Sequence, residues 1–345
     1  MKRMEGGMGA GEAADTRTRL EAALFEMKRV IVGQETLLER VLIALLTSGH
    51  LLIEGVPGLA KTLTVRTLAD VVGGTHARIQ FTPDLVPSDL VGTRIYRPGA
   101  AGVGAGTFDT ELGPVFCNFL LADEINRAPA KVQSALLEVM QERQVTIGPA
   151  THAVPDPFLV LATQNPIESE GTYNLPEAQL DRFMMKVVVG YPNQAEELEV
   201  VRRSLTEPPD VQAVLSIDDL AAFRAATAGI FIDRQVAEYA VSLVAATREP
   251  GAFGLAPVAP YVDFGASPRG SLNLVHGARA LALIRGRNYA LPQDVQELAR
   301  DVLRHRIVLS YQALAEEVTP DQVLDAVLGA VPVPHIDLSD EQRAG

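Results

Sequence analysis

Eight consecutive residues, Gly55-Val56-Pro57-Gly58-Leu59-Ala60-Lys61-Thr62, bring two glycines, a lysine and a hydroxyl side chain into one short loop. A loop of this kind turns backbone N–H groups toward a single point, where they can meet phosphate oxygens. Lys61 would neutralise the terminal phosphates of a nucleotide, and the Thr62 hydroxyl would ligate Mg²⁺. Leu63 completes the expected nucleotide-binding segment, residues 55–63, as it runs on into a helix. Ala60 stands where the strict pattern has its second glycine, a mild change in the first turn of a helix. The competing reading is a Gly/Pro turn followed by an exposed lysine.

A second chemical signal is the apolar run Phe119-Leu120-Leu121-Ala122 ending in Asp123-Glu124. A buried strand that ends in carboxylates delivers them to the edge where open α/β sheets bind ligands. Asp123 fits a contact to Mg²⁺, direct or through water. Glu124 fits the group that polarises an attacking water. Alternatively, the two acids simply open the next helix, where its dipole favours them.

These residues need a frame. The chain has 345 residues, about two domains on the usual scale. Apolar residues recur at helical spacing over 19–30 and again over 34–47. Short apolar runs at 50–54, 77–81, 119–122, 158–162 and 186–189 read as strands, with helical patterns between most of them. Alternation of this kind implies a parallel sheet with right-handed crossovers. After Tyr191-Pro192 the strand pattern stops, and 194–205, 216–228, 233–247, 270–285 and 292–306 carry helical periodicity. The expected architecture is an α/β core over 16–192 and a smaller all-helical domain over 193–332. A disordered tail is expected at 1–15 and a loose tail at 333–345.

Composition removes several function classes. The net charge is −13, which disfavours nucleic acid and anionic membrane as default partners. No uncharged run exceeds 13 residues, short of the roughly 18 to 20 of a membrane span. Lys2 and Arg3 precede Glu5 and glycines instead of an apolar block, so no secretory signal is read and a cytoplasmic protein is expected. Cys117 is the single cysteine, which excludes an internal disulfide and a multi-cysteine zinc site. It reads as a small buried residue. Arg304-His305-Arg306 reads as a solvated helix face, and Glu196–Glu199 as an acidic helix N-terminus.

Five segments then occur in order: the phosphate loop, the acidic strand end, Ala162-Thr163-Gln164-Asn165-Pro166, Leu180-Asp181-Arg182-Phe183 and Gly265-Ala266-Ser267-Pro268-Arg269. Together they resemble an AAA+ ATPase of the MoxR family, over roughly residues 18–332. Asp123-Glu124-Ile125-Asn126-Arg127-Ala128-Pro129 and the stretch from Gly171-Thr172-Tyr173 to Leu175-Pro176-Glu177-Ala178-Gln179 are more specific to that family than the phosphate loop. Asn174 departs from it, standing where the family pattern has proline.

The resemblance implies further roles. Asn165 resembles the polar sensor that orients water against the γ-phosphate. Arg182 resembles the arginine finger that reaches a neighbouring subunit's nucleotide, the alternative being a structural salt bridge to Asp181 or Glu177; Arg127 is a rival for the trans-acting role. Arg269 resembles the second sensor, which would couple nucleotide state to lid angle. Val32-Gly33-Gln34 resembles the segment that packs beside adenine. The family also implies ATP and Mg²⁺ as cofactors, a hexamer, protein clients, and a partner carrying a von Willebrand factor A domain.

Residues 83–92 resemble the start of the helix-2 insert, and 93–111 alternate as a hairpin would. A second hairpin is expected at Val145–Ile147 and His152–Val154, around Gly148-Pro149. Neither turn carries lysine or arginine beyond Arg97, and single-strand binding needs basic grooves with stacking aromatics. The expected function is Mg²⁺-dependent ATP hydrolysis by an oligomer that remodels protein clients. An ATP-gated scaffold with slow turnover is the alternative, with a nucleic-acid motor or chelatase-type subunit behind it.

Overall fold

The computed structural model describes residues 10–55, 61–97, 106–165, 171–207 and 209–336, with the side chains of 10–14 left out. Two helices open the chain, α1 (Ala10–Val30) and α2 (Glu35–Leu46). Helix α1 starts well before the periodic segment at residue 19, so residues 10–15 are helical and not tail. Ala10, Glu12, Ala13 and Ala14 are strong helix formers and extend the helix without any apolar stripe.

The core strands are β1 (Leu51–Glu54) and β2 (His76–Gln80), with helix α3 (Lys61–Val72) between them. Helix α4 (Pro87–Val91) leads into a hairpin of β3 (Gly92–Arg97) and β4 (Thr107–Leu112). Strand β5 (Phe119–Asp123) and helix α5 (Ala130–Glu142) follow. A second hairpin, β6 (Gln144–Ile147) and β7 (Ala150–Ala153), precedes β8 (Leu159–Gln164), a short helix α6 (Glu177–Leu180) and β9 (Met185–Val188).

Five strands form one sheet in the order β2-β5-β8-β1-β9, every pair parallel. The inner strands β5, β8 and β1 are apolar on both faces, as sheets covered by helices on both sides require, while the edge strand β2 is largely exposed. Leu51, Ile53, Phe119 and Leu121 face one core with α1, α2 and α3. Leu52, Leu120, Ala122 and Val160 face the other, with α5 and the hairpin bases. Cys117 is buried in this second core, where desolvation raises its thiol pKa to about 12.

Beyond β9 the chain is mainly helical: α7 (Gln194–Ser204), α8 (Ile217–Gly229), α9 (Arg234–Arg248), α10 (Pro268–Ile284), α11 (Pro292–Leu303), α12 (Tyr311–Ala315) and α13 (Pro320–Ala330). Acidic Glu196 and Glu197 lie in the first turn of α7. This part is not wholly helical. Phe231–Ile232 pairs with Tyr289–Ala290, and Val262–Phe264 with Val308–Leu309. Segments so short lack a readable period, yet they tie interhelical loops together through backbone hydrogen bonds. Its apolar residues are continuous with the α1–α3 core. No described helix is long and apolar enough to cross a membrane.

Candidate active site

Parallel strands align their C-terminal ends, so residues just past β1, β5 and β8 share one sheet edge. Gly55 follows β1 and donates its N–H to the Gln164 carbonyl at the end of β8, 3.3 Å away. Lys61 opens α3 and folds its ammonium onto the Gly55 carbonyl at 2.6 Å. Burial pushes the Lys61 pKa down, while Asp123, Glu124 and Glu54 oppose the shift. That cation and those acids therefore share one electrostatic neighbourhood. Thr62 and Leu63, in the first turn of α3, are exposed. Val56, Pro57, Gly58, Leu59 and Ala60 lie outside the described residues.

Asp123 ends β5. One of its carboxylate oxygens accepts from the Thr163 hydroxyl at 2.6 Å, and the other from Arg78 at 2.7 Å. Glu124 follows with φ 57, a left-handed conformation uncommon for glutamate and held by its N–H donating to Thr163 at 2.9 Å. That turn swings the Glu124 side chain away from the strand direction. Its carboxylate accepts from the Gln80 amide at 2.7 Å and pairs with Arg127 at 3.0 Å. Asn165, just past β8, is buried and hydrogen-bonded or otherwise engaged. Arg127 thus meets its own chain's acid.

The Val32–Gln34 segment reaches this edge indirectly. Gly33 (φ 66) and Gln34 (φ 56) both turn left-handed before α2. Gln34 donates to the Gly190 carbonyl at 3.2 Å, and neighbouring Val189 donates to the Glu54 carbonyl at 2.8 Å. The Glu196 carboxylate lies against Gly33, its Cδ 2.9 Å from where a Cβ would stand, and a side chain there would have to push it aside.

Arg182 and Arg269 lie elsewhere. Met185 opens β9 opposite Leu51, the first residue of β1, so Arg182 precedes the N-terminal edge of the sheet. Lys61 lies past the C-terminal edge, a separation of at least about 10 Å for four strand residues. Arg269, at the start of α10, shares with Arg182 a cleft of about 320 Å³ that also includes His50 and Asp181. Arg269 approaches Asp181 at 3.6 Å. Asp181 is engaged instead by Arg306 at 2.8 Å and by Ser267, so it forms no salt bridge with Arg182. The residue resembling the second sensor therefore lies on the same side as Arg182, away from Lys61. A lid attached by the tight Asp181–Arg306 contact carries Arg269 to that edge.

Three partners of the acids went unread in the sequence. Arg78 and Gln80 interrupt the 77–81 run, and their alternation on the exposed face of β2 was the available signal. Thr163 lay inside the quoted Ala162–Pro166 segment. Arg304-His305-Arg306 is also corrected: it is a buried turn at the end of α11, not a solvated face. Arg304 and His305 meet the carbonyls of Lys186 and Phe183 across the domain junction and Arg306 meets Asp181, contacts that a local helical period does not reveal.

A parallel sheet with this strand order, a phosphate-loop lysine beside an acidic strand end, and a following helical lid define the AAA+ class of ATPases. The family model described as "ATPase family associated with various cellular activities (AAA)" matches residues 50–185, and an AAA lid domain model matches 256–327. The chain is 56% identical to Chaperone MoxR1 of Mycobacterium tuberculosis over 97% of its own length and 88% of that protein's. It is 41% identical to Bacillus subtilis YeaC, over 93% of this chain and 96% of that one. A crystal structure of a Cytophaga hutchinsonii protein superposes with a TM-score of 0.87 at 48% identity, covering 94% of this chain and 97% of the other. The chain belongs to the MoxR family of AAA+ ATPases.

Proposed function

We propose that this chain hydrolyses ATP with Mg²⁺ at sites shared between copies of itself in a ring, six by family expectation. The cycle would drive chaperone-like remodelling of protein clients, with a von Willebrand factor A domain protein as partner. The observation carrying this reading is the division of charge across the sheet. Lys61, Asp123 and Glu124 lie at one edge, and Arg182 and Arg269 at the other.

Lys61 and the loop from Gly55 hold the β- and γ-phosphates, Val32–Gln34 borders the adenine, and Asn165 orients water. Glu124 takes the proton of that water as it attacks the γ-phosphorus, and ADP leaves with the bridging oxygen. Arg182 and Arg269 of one copy stabilise charge on the phosphoryl group held by the next. Among the described residues no cluster of three or more His, Cys, Asp or Glu could cage a metal. The donors fit Mg²⁺ held mainly by phosphate and water, with the Thr62 hydroxyl and Asp123 at its margin. When bound, the ion supplies charge neutralisation across the phosphate oxygens.

The slow-turnover scaffold also has an observation in its favour, since Gln80 and Arg127 both restrain Glu124. Per-subunit ATPase rate with Mg²⁺, followed across protein concentration alongside mass measurement, tests the proposal. A rate that climbs cooperatively as rings assemble supports it. A flat rate from a monomer means complete sites within one chain and overturns it. Rings that assemble with ATP yet turn over negligibly, even with partner, select the scaffold.

A further inference from the structure

The Asp181–Arg306 contact brackets Arg182. Arg306 lies in the buried turn after α11, its side chain only 1% exposed. Its guanidinium donates to the Asp181 carboxylate at 2.8 Å and to backbone carbonyls of Asp181 at 3.1 Å, Phe183 at 2.6 Å and Met184 at 3.2 Å. The same group bonds the Val302 carbonyl and His305, both in its own domain. Nearly every donor of the fork is used, and the core residues it grips flank Arg182 on both sides. None of these bonds is to the Arg182 side chain.

Asp181 is also the link to Arg269. Ser267, which caps α10, donates its hydroxyl to the Asp181 carboxylate at 2.9 and 3.0 Å. The same hydroxyl accepts from the Arg269 N–H at 3.2 Å. His305 completes the seat, its Nε2 lying 3.1 Å from the Phe183 carbonyl.

We propose that Arg306, acting through Asp181, locks the finger loop to the lid, so that Arg182 and Arg269 reach a neighbouring copy's nucleotide as one rigid unit. Arg306 is thus a positioning residue, and lid movement is finger movement. Any rotation of the lid shifts both cations together, so closure of one subunit's lid repositions that subunit's own finger at the neighbouring copy's nucleotide. A guanidinium fork is needed, because a lysine ammonium cannot span a carboxylate and three carbonyls at once. This inference rests on the proposal that Arg182 acts in trans.

The test is a mixing experiment on the full-length chain. Arg306→Lys should lose about tenfold or more in turnover, with binding of a fluorescent ATP analogue changed less than about twofold. Equimolar Glu124→Gln subunits, inactive themselves but with an intact finger, should restore turnover well above either variant alone. Arg182→Ala mixed with Glu124→Gln is the control. If the control is not rescued, the trans reading itself fails. If the control is rescued and Arg306→Lys is not, or if Arg306→Lys keeps full turnover, the positioning role is wrong. Asp181→Asn keeps the shape and removes the charge; it is read in the same assay and decides the matter should Arg306→Lys fail to fold.

Discussion

At the scale of single residues, the acidic pair divides its labour by its neighbours. Each Asp123 oxygen has one side-chain partner, Thr163 or Arg78, whereas Glu124 is tethered by Gln80 and Arg127. Glu124→Gln is expected to keep ATP affinity while lowering turnover by about a hundredfold or more, the scale of losing a general base. Near-normal turnover would remove Glu124 from its role. Gln80→Ala releases one hydrogen bond, about 1 kcal/mol, so unstimulated turnover should rise up to about fivefold. A rate at or below wild type would show that the Gln80 tether does not restrain the acid. Lys61, Asp123 and Glu124 were legible in the sequence because each sits in a contiguous motif. Arg78 and Gln80 were not, because their role depends on which strand lies beside β5, and strand order is not written in local sequence. Arg306 was missed for the same reason, since its partners lie more than 120 positions away.

At the scale of elements, strands and long helices were legible because their periods are long enough to count. The five core strands and the helices α7 to α11 fall within a few residues of the sequence expectation. The two hairpins stand at the expected places, and their contacts refine the picture. Arg97 pairs with Asp109 at 2.7 Å, and Arg94 stacks on Phe108 at 4.5 Å, beside Tyr96. These cations are thus engaged within the hairpin. Its base depends on Gly92, whose φ of 95 and ψ of 177 place it in a region open to glycine alone, with the Glu111 carbonyl filling the space of a side chain. Gly92→Ala should loosen the β3–β4 hairpin by about 1–3 kcal/mol. Amide exchange in both strands should quicken while nucleotide affinity holds; unchanged exchange would contradict the strain. The short ladders of the lid and α12 and α13 were not legible, being too brief or too mixed to show a period.

The whole molecule has a built-in sensitivity to acid. His50 is buried at the start of β1, where its Nδ1 accepts from the Val160 N–H at 3.0 Å; burial and Arg143 lower its pKa to about 3. His305 is held well below its ordinary value by burial and by Arg306. Both are neutral when folded but take up protons readily when unfolded. Their stabilisation is therefore complete above about pH 6.5 and is lost as pH falls toward their folded values, by about 1.4 kcal/mol per pH unit for each group. Urea midpoints should fall from pH 7 to pH 5, and His50→Asn should flatten that slope. An equal slope in the variant would remove His50 from the account. His305 also ties this behaviour to the lid junction, so acid should loosen the lid from the finger loop.

The shared-site proposal makes hydrolysis the property of a pair of copies and not of one. It is tested most directly by mixing Arg182→Ala with Glu124→Gln, each inactive alone, and measuring ATP turnover against composition. Shared sites predict a rate that peaks near equal amounts, where intact Glu124 sites face intact Arg182 fingers. Turnover that stays at background in every mixture, although mixed rings form, would contradict it.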